Sequence, residues 1–361
     1  MSDLRLNIEK TQEWMDERLG ISSLLEHAKE KAVPQHKHTF WYYWGGICLF
    51  LFLVQAVSGV LLLVYYRTGS DAYESVRHIT YEVQFGWLVR SAHAWAANLM
   101  IGAVMIHMFS VFFMKAYRNP REFGWWTGLV LLGMCLVFGF SGYLLPADDL
   151  SFFATKVGLA LPEVVPGVGK LITAVVRGGP DVCEATMQRF FALHAVVLPA
   201  LFVPLLAVHL WLVQKHGNAV PPGQEASTAT EPGIPFFPNF LLRDLGVWLI
   251  VLNLITLLAV FFPWQLGHQA DPLAPAPAGI HPEWYFMSQF ELLKLLGKWF
   301  PGMAGEVLGI GLFSVGMILW GLIPLYDSRN EAGCRARLAS YFGIFVVIAV
   351  IGLTVLGYVL V

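Results

Sequence analysis

The sequence is short of charge. Only 13% of its 361 residues are Asp, Glu, Lys or Arg, whereas soluble domains carry about a quarter. Hydrophobic residues make up 57% of the chain, so the composition predicts an integral membrane protein in contact with lipid. The formal net charge of −2 leaves no basic surplus, which argues against nucleic acid as a partner.

Cysteine is also scarce, with four residues and no CxxC pair. The sequence therefore offers neither a zinc site nor a c-type heme attachment motif. A leader is lacking as well: residues 1–39 are polar and charged, and the apolar run begins only near Phe40, so we expect no cleaved signal peptide. We expect residues 1–39 to form an amphipathic helix on the membrane surface instead.

Uncharged apolar runs of about 20 residues, the length that crosses a bilayer, occur seven times. They cover residues 47–65, 91–114, 123–147, 190–214, 245–270, 307–326 and 338–361. Two further apolar segments, 152–176 and 284–300, are interrupted by charge, proline or glycine, so they are expected to be interfacial helices or loops. The predicted fold class is all-α and integral to the membrane, with seven spans.

Lys and Arg are distributed unequally about these spans. The side that holds the N-terminus carries 14 of them and the other side carries 9, which places the N-terminus in the cytoplasm. We expect the inner membrane of a bacterial cell. Residues 215–240 are rich in Pro, Gly, Ser and Thr and are expected to be a linker. This linker separates a four-span domain, residues 40–214, from a three-span domain, residues 241–361.

Two of the spans each carry two histidines. His93 and His107 are 14 residues apart in the second span, and His194 and His209 are 15 apart in the fourth. Each interval ends near a whole number of helical turns, so both histidines of a span share one face, about 21 Å apart in depth. Two such helices facing each other form two stacked sites with one imidazole from each helix. Such a bis-imidazole pair suits a six-coordinate heme iron that passes electrons.

Glycines repeat at the same interval. Gly45 and Gly59 lie 14 residues apart in the first span, and Gly128 and Gly142 lie 14 apart in the third. A flat macrocycle between helices needs positions without a Cβ at the depths of the histidines. A lone histidine is more often a satisfied core residue, but histidine inside a membrane is costly, and two matched pairs favour function. We therefore predict a four-helix heme-binding bundle plus three further spans.

Taken together, these features resemble cytochrome b of the quinol-oxidising bc-type and b-f-type complexes. The matching stretches are GGICLFLFLVQAVSG, FGWLVRSAH, RNPREFGWWTG, FGFSGYLLPADD, RFFALH and PEWY. The resemblance implies a cytochrome b half fused to a half like subunit IV. It implies two non-covalent b-type hemes, the outer one held by His93 and His194 and the inner one by His107 and His209.

The resemblance also implies a quinol site at the outer side of the membrane. Glu283, in the PEWY stretch, would accept a proton from quinol, and burial should raise its pKa toward a value useful for that transfer. Six further residues are implied for this site: Tyr143, Pro146, Ala154, Pro282, Trp284 and Tyr285.

The sequence departs from the family at several positions. Tyr43 stands where the b-f branch has a cysteine that holds an extra heme, so we do not expect a covalently held third heme. Arginines that usually follow the family's histidines are missing, which leaves Arg90 at the outer end and Lys115 or Lys215 at the inner end to pair with heme propionates. Gln214 replaces an arginine that lies by the inner quinone site of the b-f branch.

The function implied is that of the core subunit of a quinol–cytochrome c or plastocyanin-type oxidoreductase coupled to proton translocation. A Rieske-type iron–sulfur protein and a c-type cytochrome are the expected partners, together with a second copy of the chain. Two rival functions remain. A di-heme membrane anchor of a dehydrogenase or hydrogenase would explain the hemes but not PEWY. A channel or transporter that relays protons through histidines would leave the equal intervals unexplained.

Overall fold

The computed structural model describes residues 2–20, 22–23, 26, 30–165, 167–224, 233–277, 279–328 and 333–359. In these ranges the chain forms thirteen α-helices and two short strands. The helices are α1 Ser2–Leu19, α2 Tyr43–Leu63, α3 Ala72–Tyr81, α4 Gly86–Phe113, α5 Glu122–Leu144, α6 Asp149–Ala160, α7 Gly169–Arg177, α8 Glu184–Ala192, α9 Leu198–His216, α10 Leu241–Phe261, α11 Trp284–Trp299, α12 Met303–Tyr326 and α13 Cys334–Val359. The expected all-α fold is confirmed.

Seven helical segments of the described chain are long and apolar enough to cross a membrane, as predicted. They are Thr39–Leu63, Gly86–Phe113, Glu122–Leu144, Glu184–His216, Phe236–Phe261, Met303–Tyr326 and Cys334–Val359. The two interrupted apolar segments form shorter helices, namely α6 and α7 in the first half and α11 in the second. Below, the end of the bundle at which α4 begins is called the outer end, and the end at which α4 finishes the inner end.

The fifth span lies earlier in the chain than its uncharged run. It was predicted at 245–270 and is found at Phe236–Phe261. The criterion of an uncharged run excluded Arg243 and Asp244, yet both residues belong to the first turn of α10. The helix stops at its other end because Phe262 precedes Pro263, and a residue before proline disfavours the helical region.

The fourth span is interrupted by a π-helical turn at Leu193–Val197, which contains His194. Pro199 follows this turn, and in a regular α-helix its ring would clash with the carbonyl of Ala195. Widening the turn removes that clash. Because a π turn holds one residue more than an α turn, the 15-residue interval from His194 to His209 matches a regular interval of 14.

A small β-ladder ties the N-terminal segment to the end of the linker. Strand β1, Ala32–Val33, pairs antiparallel with strand β2, Ile234–Pro235. Of the predicted N-terminal surface helix, the structure describes α1, while residues 21, 24–25 and 27–29 lie outside the described residues. Residues 225–232 of the predicted linker lie outside them as well.

The first four spans form a bundle in which α2 packs against α4 and α5 packs against α9. The histidine-bearing helices, α4 and α9, therefore belong to different packed pairs. In the second half of the chain, α11 packs against both α12 and α13, while α10 packs against α4 of the first half. Because lipid is as apolar as these helix faces, van der Waals packing and hydrogen bonds between the helices hold the two halves together.

A buried ionic cluster also joins the halves at the inner end. Asp327, which follows α12, accepts hydrogen bonds from Arg118 at 2.8 Å and from the Tyr117 hydroxyl at 2.6 Å. The Lys115 ammonium lies 3.4 Å from the same carboxylate. All four side chains are buried, and both cations share the single carboxylate of Asp327 across a long sequence separation.

Candidate functional site

The outer pair of histidines faces each other inside the bundle. The ring centroids of His93, from α4, and His194, from the π turn, lie 6.4 Å apart with the planes at 70°. Bonds from a metal to imidazole nitrogen are about 2 Å long. Two imidazoles that bind one metal from opposite sides therefore have ring centroids about 6 Å apart. The observed separation therefore leaves room for one metal ion between the rings.

Each of the four histidines lies against one of the four predicted glycines. A Cβ added at each glycine would contact a Cε1 atom, at these distances: Gly59 to His93 3.4 Å, Gly142 to His194 2.6 Å, Gly45 to His107 3.3 Å and Gly128 to His209 3.3 Å. The contacts sort the residues into two levels, with one imidazole from each histidine-bearing helix at each level. At Gly142 the imidazole fits only because the glycine has no side chain, whereas at the other three glycines the added atom would be in close van der Waals contact with the ring.

Apolar side chains fill the layer between the two levels. Leu51 on α2, Met100 on α4 and Phe202 on α9 belong to one buried cluster, and so does Cys135 on α5. Each of these positions lies between the two glycines or the two histidines of its own helix. The two levels are thus separated by a layer of apolar side chains.

The donor set fits heme better than a bare metal ion. Among the residues that the structure describes, no group of three or more His, Cys, Asp and Glu side chains could hold a metal. Two imidazoles complete a metal site only if another group supplies the remaining ligands, as a porphyrin does for iron. The four glycines on α2 and α5 meet the sequence expectation of positions without a Cβ beside each histidine.

Glu283 lies at the outer end, at the N-terminal cap of α11. The next two side chains anchor this end of α11 to the four-helix bundle. Trp284 donates from Nε1 to the Oδ1 of Asn98 on α4 at 2.8 Å. Tyr285 packs on α5 at Gly139, where an added Cβ would come within 2.6 Å of the phenol oxygen. Glu283 is thereby held at the junction of the two halves of the chain.

Burial changes the proton affinity of two groups at this junction. It raises the pKa of Glu283 above the usual value for a glutamic acid, and the charge of nearby His281 partly opposes the rise. Burial also raises the pKa of Tyr285, with smaller contributions from Glu283 and Tyr143. A carboxyl group whose pKa is raised toward neutrality is suited to accepting and passing on a proton.

The other residues predicted for the quinol site lie on neighbouring elements. Tyr143 is in the last turn of α5, Pro146 is in the turn that follows, and Ala154 is in α6. Pro282 immediately precedes Glu283. All four are half-buried, and Tyr143 is close enough to Tyr285 to influence it electrostatically.

Comparison with known proteins identifies the family. The model described as "Cytochrome b/b6/petB" matches residues 28–217, and the one described as "Cytochrome b(C-terminal)/b6/petD" matches residues 269–361. The chain belongs to the cytochrome b/b6 family.

Three similar proteins show how far the match extends. The "Cytochrome bc complex cytochrome b subunit" of Chlorobaculum thiosulfatiphilum is 48% identical over 335 residues, which are 92% of this chain and 77% of that protein. The "Cytochrome b6" of Synechococcus elongatus is 38% identical over 213 residues, 59% of this chain and 99% of that protein. A solved chain of "Hyperthermophilic respiratory Complex III" is 29% identical and superposes with a TM-score of 0.83, covering 96% of this chain and 91% of its own.

Each cation considered for heme propionates has a partner within the chain of this cytochrome b. Arg90 is buried and donates to the carbonyls of Trp264 at 2.7 Å and Gln265 at 3.2 Å. Lys115 belongs to the ionic cluster with Asp327. The Lys215 ammonium lies over the ring of Trp211, 5.0 Å from its centroid.

Two departures from the b-f branch have structural counterparts. Tyr43, at the position of that branch's cysteine, stacks on Phe240 with centroids 4.7 Å apart and planes at 6°. Gln214 accepts a hydrogen bond from the Lys31 ammonium at 2.6 Å. Lys31 therefore brings a positive charge from the N-terminal segment to the place where the b-f branch has an arginine.

The sequence analysis missed Asp244 as a candidate functional residue. Its carboxylate lies against Gly46, the neighbour of the glycine that contacts His107. Its Oδ1 atom is buried and has no hydrogen-bond partner among the residues that the structure describes. An acidic residue within a span is costly and marks a functional position by default, and that signal was present at the edge of the fifth apolar run.

Proposed function

We propose that this chain is the di-heme cytochrome b subunit of a quinol–cytochrome c or plastocyanin-type oxidoreductase, with electron transfer coupled to proton translocation. The observation that carries the proposal is the pairing of four histidines with four glycines at two levels of one bundle. That arrangement accounts for two pairs of metal ligands, one pair at each level.

The four imidazoles would hold two b-type hemes. Bound heme supplies a one-electron carrier at each level. His93 and His194 orient the outer carrier, and His107 and His209 orient the inner one. The apolar layer between them excludes water, and the depth separation of about 21 Å takes an electron across most of the bilayer.

At the outer end, Glu283 accepts a proton as quinol is oxidised. Its raised pKa holds the proton until the carboxyl group can release it toward the outer water phase. Trp284 and Tyr285 fix the backbone of this segment to α4 and α5, so the carboxyl group keeps a constant place relative to the outer histidine pair. Tyr143, Pro146, Ala154 and Pro282 form the remaining walls.

At the inner end, Asp244 delivers a proton to a quinone that is being reduced. The Oδ1 atom of this half-buried side chain is buried and has no hydrogen-bond partner among the described residues, and the carboxyl group lies next to the inner histidine level. The Lys31 ammonium, held at Gln214, contributes positive charge on the same side of the molecule. The ammonium stabilises negative charge that arrives on the quinone, and the proton from Asp244 then neutralises that charge.

The complete enzyme would need partners. A Rieske-type iron–sulfur protein takes one electron from quinol, and a c-type cytochrome receives it. One relative is named as a subunit of a bc complex, which supports an assembly of this kind, with two copies of the chain. The excess of Lys and Arg beside the N-terminus supports a cytoplasmic N-terminus in a bacterial inner membrane.

The test begins with the purified protein in a reduced-minus-oxidised visible spectrum and a heme assay. We expect a b-type α-band and two hemes per chain. Quinol-driven reduction of cytochrome c is then compared between the wild type and Glu283→Gln. The substitution removes the proton acceptor but keeps the size of the side chain, so turnover should fall sharply while both hemes remain.

Glu306→Gln is the matched control. Glu306 is an exposed acid in the first turn of α12, and its replacement should leave turnover unchanged. A protein without a b-type spectrum would contradict the heme assignment. Full turnover in Glu283→Gln, with normal heme content, would contradict the outer quinol site. It would favour the alternative function, a di-heme membrane anchor of a dehydrogenase or hydrogenase.

A further inference from the structure

Three of the four proposed heme-ligand histidines have a side-chain hydroxyl group within hydrogen-bond distance of Nδ1. The pairs are Ser58 with His93 at 2.8 Å, Thr127 with His209 at 2.9 Å and Ser141 with His194 at 3.2 Å. In every case the hydroxyl residue directly precedes the glycine that lies against the same histidine. The hydroxyl and the glycine thus form a two-residue cradle on the neighbouring helix.

Each hydroxyl also bonds a backbone carbonyl, and this second bond determines which nitrogen of the imidazole carries the hydrogen. Each hydroxyl lies within hydrogen-bond distance of the carbonyl four residues earlier in its own helix: Ser58 to Val54 at 2.6 Å, Thr127 to Phe123 at 2.8 Å and Ser141 to Val137 at 2.7 Å. A carbonyl oxygen can only accept, so the hydroxyl hydrogen is donated to it. The hydroxyl oxygen must then accept from Nδ1–H of the histidine.

His194 shows the same assignment by a second route. Its Nδ1 also lies 3.1 Å from the carbonyl of Phe138, which again can only accept. With the hydrogen on Nδ1, the lone pair of the neutral imidazole is on Nε2, which is the atom left to bind iron. The hydroxyls therefore select the tautomer that is competent as a ligand.

His107 lacks this support. Its Nδ1 atom is buried and has no hydrogen-bond partner among the residues that the structure describes. The residue before its glycine, Gly45, is Trp44, which has no hydroxyl group. The nearby hydroxyl of Ser110 donates to the backbone carbonyl of His107 at 2.8 Å. The outer level thus has two supported imidazoles and the inner level has one.

We propose that Ser58, Thr127 and Ser141 are positioning residues that lower the midpoint potentials of the hemes through the histidines they contact, and that His107 lacks this effect. A higher potential at the inner heme is already implied by the resemblance to the family, and the unequal number of hydroxyls is offered as its structural cause. The inference rests on the proposed function. An imidazole that donates a hydrogen bond from Nδ1 is a stronger electron donor to its metal, and stronger donation favours ferric iron. Two supported ligands at the outer level and one at the inner level therefore direct electrons inward.

The experiment is a redox titration of the purified holoprotein, followed at the α-bands of both hemes. Ser58→Ala and Ser141→Ala should each raise the midpoint potential of the outer heme and leave the inner one unchanged. Thr127→Val should raise the midpoint potential of the inner heme alone. The iron–histidine vibrations should weaken in parallel, which a purely structural role would not produce.

Two sets of controls separate the hydroxyl from its surroundings. Ser58→Thr and Ser141→Thr keep the hydroxyl and should restore the potential, or restore the outer heme if the alanine variant loses it. Ser110→Ala removes a hydroxyl that bonds the backbone of His107 but not its ring, and should move neither potential.

The outcomes distinguish this inference from the proposed function. Normal heme content with unmoved potentials in all three hydroxyl variants would overturn the inference and leave the di-heme assignment standing. A shift in Ser110→Ala as large as that in Ser58→Ala would overturn it too. A wild-type protein that carries no b-type heme would overturn the proposed function itself.

Discussion

The imidazole of His194 lies against Gly142 so closely that a methyl group could not be inserted. An added Cβ would come within 2.6 Å of Cε1 and 3.0 Å of Nδ1 of the ring. The other three glycines leave 3.3 to 3.4 Å to their histidines. All four glycines lie against a histidine, but they differ in how well an added methyl group would be tolerated. The heme assignment can therefore be tested one glycine at a time.

Gly142→Ala should remove the outer heme and keep the inner one, because the displaced His194 ring can no longer face His93. Gly59→Ala should be tolerated, since its Cβ would make an ordinary contact of 3.4 Å with His93. The measurement is the heme content of each purified variant with the two α-bands resolved. Equal heme loss from both variants would contradict the cradle geometry.

His209→Leu should remove the inner heme alone. Leucine fills a similar volume but offers no lone pair to iron, and the outer pair lies about 21 Å away along the helices. The redox titration of this variant should show a single component, that of the outer heme. Retention of both hemes, or loss of both, would contradict the pairing of ligands by level.

Quinol oxidation should lose rate as the pH falls, already above the usual pKa of a glutamic acid. Burial raises the pKa of Glu283, and a protonated carboxyl group cannot accept the quinol proton. His281→Gln should move this fall in rate to higher pH, because the positive charge that opposes the rise is removed. The check is the pH profile of turnover, which should become flat in Glu283→Gln.

Asp327→Asn should destabilise the protein by about 3–5 kcal/mol, the usual effect of breaking a buried ion pair. Lys115 and Arg118 would keep their positive charges with no buried anion beside them. Burial already lowers the pKa of Lys115, and Asp327 is the group that opposes this. The loss of stability is measured as a lower temperature of heme release on heating.

A surface pair gives the control for Asp327→Asn. Glu74 and Arg77 form an exposed contact at 2.7 Å, and such pairs contribute little to stability. Glu74→Gln should therefore release heme at the wild-type temperature. If Asp327→Asn does the same, the cluster does not hold the two halves together.

Local patterns were enough to predict the seven spans and the two histidine pairs. The spans follow from the length of apolar runs, and the shared face of each pair follows from helical geometry. The prediction was least accurate at the fifth span, because Arg243 and Asp244 belong to the first turn of a helix whose remaining turns are apolar. A run of uncharged residues marks only the apolar part of a helix, and the helix itself can begin with charged residues.

The sequence also could not reveal the π turn at Leu193–Val197. In a regular α-helix a 15-residue interval ends about 60° past four full turns, which still leaves both histidines on one face. The π turn before Pro199 makes this interval equivalent to the 14 residues of the opposite helix. The proline was visible in the sequence. Which of several responses a helix makes to a proline depends on what its neighbours require.

Composition and periodicity by themselves determined that this chain is a seven-span membrane protein with paired histidines, because both signals arise within single helices. The tertiary structure decided which glycine and which hydroxyl meet each imidazole, and it brought Lys31 to Gln214 and Asp327 to Arg118. These partners are far apart in the chain, 183 residues in the case of Lys31 and Gln214. No local pattern encodes such contacts, since they exist only when the helices pack.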